Sequence, residues 1–138
     1  MPGIKDLTVL LASIEPVLDE REFVFCTFPV SDRNRVEQLD PICFFREKEG
    51  ITLIITCQKA MEHDIHYEGV YRLISLTVHS SLDAVGLTAA FSAKLAEKDI
   101  SANVVAGYYH DHIFVPAPKA EQAMEALMEF GAGRQDCQ

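Results

Sequence analysis

Leu73-Ile-Ser-Leu-Thr-Val-His-Ser-Ser-Leu-Asp-Ala-Val-Gly-Leu-Thr-Ala-Ala90 reads as a strand that runs through a short polar turn into a helix. Ile74, Leu76 and Val78 alternate with Leu73, Ser75 and Thr77, the period of a strand with one apolar face. Ser80, Ser81 and Asp83 are residues of helix caps and first turns. Gly86 falls near the first turn of the helix, where glycine costs about 1 kcal/mol relative to alanine. A glycine tolerated there points to something that approaches the backbone closely.

Working outward, the strand is set at Val70–His79 and the helix at Asp83–Lys98. Ala84, Leu87, Phe91 and Leu95 recur at spacings of three and four, the stripe of a core-facing helix. Two further strands follow, Ile100–Gly107 and His112–Pro116, joined by the polar-aromatic tip Tyr108-Tyr-His-Asp111. Pro118 opens a second helix, with Ala123, Leu127 and Phe130 on its apolar side and Gly131 as its stop. Strand, helix, strand, strand, helix is the split βαβ order of a ferredoxin-like unit without its last strand.

The first half is less regular. Asp6–Ala12 is short and apolar and reads as a strand, followed by a turn over Ser13–Glu20. Glu22–Phe28 is a strand with apolar residues on both faces. Pro29–Pro41 reads as a surface loop. Ile42–Arg46 and Ile51–Thr56 are the arms of a hairpin, with Gly50 available for positive φ. Cys57–Asp64 is a short helix. The N-terminal strand near Leu7–Ala12 is expected to complete the sheet of the second unit.

The chain has 138 residues, a formal net charge of −9 and half its residues hydrophobic. That suits one compact domain or two very small ones. The acidic balance argues against nucleic acid and anionic membrane as partners. No basic region followed by an apolar stretch opens the chain, and no run approaches the ~20 apolar residues of a membrane span. Cys26, Cys43, Cys57 and Cys137 form no C-x-x-C pair, so a reduced, cytoplasmic setting is expected. There is no P-loop, G-x-G-x-x-G or nucleophile-base motif, and nothing calls for a cofactor.

Leu73–Val115 resembles an ACT domain, through Val85-Gly-Leu-Thr-Ala89 at the helix head, Leu95-Ala-Glu-Lys-Asp-Ile-Ser101 and Asn103 in the next strand. Together with Phe44-Phe-Arg-Glu-Lys-Glu-Gly-Ile-Thr-Leu53, the string from Asn103 to Val115 is similar to a small bacterial family of tandem ACT-domain proteins. The resemblance implies an α+β fold of ferredoxin-like, βαββαβ-type tandem units, with antiparallel sheets and helices on one face. It divides the chain into an N-terminal unit at 1–69 lacking its first helix, a C-terminal ACT domain at 70–131 and a disordered tail at 132–138. It implies a regulatory, non-enzymatic protein that binds an amino acid or other small metabolite and forms a homodimer. Carried over residue by residue, the ligand site comprises His79, Ser80, Ser81, Leu82, Asp83, Val85, Gly86 and Asn103.

That turn has suitable chemistry of its own. A helix head presents unpaired N–H groups and about half a positive charge, which suits a carboxylate. The competing reading is that Ser81 and Asp83 merely cap the helix and Gly86 merely lets it pack closely. Two alternatives to ligand binding stay open. One is an interaction module pairing through its sheet, with the Leu73/Ser75/Thr77 face buried against a second subunit. The other is a metal-binding protein using His110 and His112, which lie two apart beside a strand.

Overall fold

The structure, a computed structural model, describes residues 7–77 and 86–135, with side chains as far as Gly131. Its elements are α1 (Leu7–Ser13), β1 (Pro16–Phe28), α2 (Arg33–Leu39), β2 (Cys43–Arg46), β3 (Ile51–Thr56), α3 (Cys57–Glu62), β4 (Tyr71–Leu76), α4 (Leu87–Glu97), β5 (Asn103–Ala106), β6 (Asp111–Pro116) and α5 (Ala120–Gln135). They gather into two compact units, one of Glu20–Tyr71 and one of Met1–Asp19 with Arg72–Gln138.

In the second of these the strand order is β1-β4-β6-β5, the ferredoxin-like order with the missing strand supplied by the start of β1. The amide and hydroxyl of Thr77 both donate to the Glu15 carbonyl, at 3.1 and 2.8 Å. The Arg72 guanidinium donates twice to the Asp19 carbonyl, at 3.1 and 2.7 Å. Pro16 has no N–H to give, and the first position of a strand is one place where that is tolerated. The expected turn over Ser13–Glu20 is therefore largely strand, and it is this stretch that completes the sheet.

Leu7–Ala12 instead lies in the helix α1. A short apolar run fits either state by pattern, and here burial decides between them. Leu10 is fully buried and Ile14 nearly so, Leu7 and Leu11 pack beside them, and Val9 is exposed. That is a helical stripe. Leu87, Phe91 and Leu95 of α4, Ala120, Ala123, Ala126 and Leu127 of α5, and Ile74, Leu76, Ile113 and Val115 of the sheet close the same core. Gly131 does not stop α5, which runs four residues further to Gln135; residues 136–138 lie outside the described residues.

In the Glu20–Tyr71 unit β3 pairs antiparallel with both neighbours, from Phe23↔Thr56 to Phe28↔Ile51 on β1 and from Cys43↔Ile54 to Arg46↔Ile51 on β2. Val24, Cys26, Phe28, Ile51, Leu53 and Ile55 face Leu39 and Ala60. Leu39 belongs to α2, which stands where the sequence pattern predicts only a loop. Its apolar anchors are Val36 and Leu39 alone, too few for periodicity to register, and Asp40 ends it at φ 46°. This half thus has a helix between its first two strands. Gly50 does not use positive φ; a Cβ there would lie 2.8 Å from the Phe28 carbonyl oxygen.

Candidate functional site

β4 delivers the chain to the turn that the sequence singles out. Ile74 and Leu76 point into the core at 0 % exposure. Of the eight residues proposed to bind a ligand, His79, Ser80, Ser81, Leu82, Asp83 and Val85 lie outside the described residues. Gly86 is described, and its role differs from a first-turn position. It is the residue before α4, with φ 93°, and its carbonyl accepts the first helical hydrogen bond, from Ala90 N–H at 2.9 Å. A side chain is disfavoured at that φ. A Cβ there would also lie 3.1 Å from Leu7 Cδ2. The close approach anticipated at Gly86 is made, on this side, by α1.

Asn103 opens β5. That strand is bonded to β6, which separates it from β4, so Asn103 is two strands away rather than on a neighbouring one. Its side chain is exposed, and its amide donates to the Phe114 carbonyl at 3.2 Å.

Ser75 and His112 bridge β4 and β6, Oγ to Nδ1 at 2.8 Å. Burial lowers the imidazole pKa, His110 lowers it further, and Asp111 opposes both. Burial raises the carboxyl of Asp111, against the pull of the two histidines. His110 lies in the hairpin tip, its carbonyl accepting from Gly107 N–H at 2.9 Å. Nδ1 of His110 is buried and has no hydrogen-bond partner among the described residues. No group of three or more His, Cys, Asp or Glu converges as metal ligands would among the described residues.

Sequence reasoning missed a cleft of about 730 Å³ in the Glu20–Tyr71 unit. Its walls are the last residues of β1, Arg35 of α2, Thr52, the segment 64–69 and Tyr71. Arg35 lies over the Phe28 ring, 4.5 Å from its centroid. The Cys57 thiol donates to the Tyr67 hydroxyl at 3.5 Å. The available signal was an arginine three residues after Asp32, in a segment that pattern alone assigns to a loop.

Comparison with known proteins bears on both halves. The ACT-domain family matches residues 2–72 and again residues 68–129. This chain belongs to the ACT-domain family. Among solved structures, a Vibrio cholerae protein of unknown function, a possible transport protein, is 52% identical with a TM-score of 0.84, over 94% of this chain and 98% of that one. The regulatory subunit of aspartate kinase from Thermus thermophilus, in ligand-free form, is similar at 13% identity and TM-score 0.64, over 85% of this chain and 97% of that one. E. coli aspartokinase III in complex with aspartate and ADP is 12% identical with a TM-score of 0.58, over 83% of this chain and 32% of that one. At such identities the aspartokinase likeness is one of fold. No curated protein matches the sequence. The ACT-domain assignment accounts for the α+β architecture and the ferredoxin-like strand order. No helix among the described residues is long and apolar enough to cross a membrane.

Proposed function

We propose that this ACT-domain protein is a non-catalytic regulatory module that binds an amino acid or a similar small metabolite at the turn leading into α4. The observation that carries the reading is the family match over 68–129 together with Gly86, left-handed at the head of an 11-residue helix. The helix head offers N–H donors and about half a positive charge to a carboxylate. Ser80 and Ser81 add hydroxyl donors, and Asp83 can receive an ammonium group. His79, Leu82, Val85 and Asn103 complete the proposed set. The protein works in a reducing cytoplasm, with Cys26, Cys43 and Cys57 as free thiols, and needs no cofactor. The sequence halves meeting near residue 70 are read as the two ACT repeats.

A thermal-shift panel of the twenty amino acids tests it. Ligand at about a hundred times Kd stabilises the native state by about 2.7 kcal/mol. Aspartate heads the panel, because the aspartokinase III neighbour was solved with it. A rise in melting temperature with one amino acid, lost in Asp83→Asn, is the expected result. No shift at millimolar concentration with any of them rejects the reading.

One observation favours a second activity, self-association through the sheet. Leu73 is already buried and Ser75 already bonded to His112, so the Leu73/Ser75/Thr77 face offers little to a partner. The edge strand β2 instead exposes Phe44 and Phe45, at 52% and 68%. An exposed apolar edge strand is a pairing surface unless it is covered. We therefore propose that a homodimer, if one forms, pairs through β2, and sedimentation equilibrium checks it.

A further inference from the structure

We propose that the cleft in the Glu20–Tyr71 unit is a second small-molecule site, one that takes a small monocarboxylate with an aromatic body. It goes beyond the function proposed above, because the turn into α4 belongs to the other unit. The cleft measures about 730 Å³, inside the range of about 300–1,000 Å³ for small-ligand pockets. It combines apolar walls with a few convergent polar groups, as such pockets do.

Arg35 supplies the charge. Its guanidinium rests 4.5 Å from the Phe28 ring centroid, a cation-π contact that fixes the side chain on the cleft wall. Its ion-pair partner Asp32 has Oδ2 3.9 Å from Nη1, beyond hydrogen-bond length. That contact leaves the planar donor fork of the arginine available for a carboxylate. Asp64 and Glu68 also line the cleft. Their charges, and the net −9 of the chain, oppose every anion, and oppose phosphates and polyanions more than a single carboxylate held on Arg35.

The aromatic preference comes from further residues of the lining. Phe25 and Tyr71 meet edge to face with centroids 5.1 Å apart, and Tyr67 is a third ring in the lining. Ring edges and faces of this kind accept a flat apolar body. The Tyr67 oxygen accepts the Cys57 thiol at 3.5 Å, which leaves its own O–H to donate. A ligand that places a carboxylate on Arg35 and a ring among Phe25, Tyr67 and Tyr71 uses both halves of the cleft at once.

The test is an amide chemical-shift titration of the full chain with 3-phenylpropionate, beside 3-phenylpropanol and inorganic phosphate. The acid should saturate with a Kd of about 1–10 mM, the range for so small a ligand. Its shifts should fall on residues 25–28 and 64–69. The alcohol and Arg35→Gln should each weaken binding about tenfold or more, with Arg35→Lys between. Tyr67→Phe should weaken it several-fold. Should Arg35→Gln fail to fold, the acid-to-alcohol ratio decides. Asp83→Asn leaves this titration unchanged while removing any response at the α4 turn, so the two sites fail separately. Unchanged binding in Arg35→Gln, equal binding of the alcohol, phosphate competing as strongly as the acid, or no saturable shift overturns the proposal.

Discussion

Leu7 rests against Gly86: a Cβ on that glycine would come within 3.1 Å of Leu7 Cδ2, and its φ of 93° already disfavours any side chain. Gly86→Ala should therefore destabilise the protein by about 1–2 kcal/mol from backbone conformation alone, read by urea unfolding. Gly86→Asn should cost less, since asparagine visits left-handed backbone more readily. Combining Gly86→Ala with Leu7→Ala should give less than the sum of the two losses, because the leucine is the neighbour that the new methyl group meets.

The burial of His112 gives the fold a pH dependence of definite sign. Burial holds the His112 pKa below its ordinary 6.5. The unfolded chain then binds the proton first, and stability falls as pH drops below 6.5, levelling off once the folded state is protonated too. Asp111, raised by burial above its ordinary 3.8, acts in the opposite sense: its folded form gains a proton first, which favours the native state as pH falls towards 3.8. In His112→Gln the decline of melting temperature just below pH 6.5 should disappear, while the acidic limb due to Asp111 persists.

Leu10 is fully buried in α1. Leu10→Ala should cost about 2–5 kcal/mol, the range for deleting a core leucine. Were residues 7–13 a loosely held N-terminal tail, the loss would be a few tenths. Denaturant titration separates the two cases.

Phe45, 68% exposed on the edge strand β2, makes the association test specific. Phe45→Glu should leave the melting temperature of the monomer within a few degrees and shift the sedimentation equilibrium to monomer, since a charge on an edge strand blocks pairing.

What the sequence reveals depends on how much pattern each element carries. α4 and the strands around it have full stripes, with Leu87, Phe91 and Leu95 on one side of a helix and Ile74 and Leu76 on one side of a strand. They are read correctly to within a few residues. α1 and α2 are 7 residues each, two turns of helix, and two turns contain too few apolar positions to distinguish a period of 3.6 from one of 2. Pro16 was misleading in the same way: it punctuates loops, yet also opens strands. Of the proposed ligand site, Gly86 is legible as a residue whose missing side chain matters. Its left-handed φ and its contact with Leu7 are not, because both depend on where α1 lands. The Arg35 cleft was hidden for a related reason. Its groups come from four separate segments, and no local spacing records their meeting.

The division of β1 has a consequence for synthesis. Its first residues belong with Arg72–Gln138 and its last with Glu20–Tyr71. On the ribosome, the middle of the chain has every residue of its own core once Tyr71 has emerged. Leu10 and Ile14 must wait exposed until α4, β6 and α5 have been made. A segment made before most of its core is thus among the last to find its place, and long-range closure of this kind slows folding. Over that interval the apolar face of α1 is the part of the nascent protein that most needs shelter.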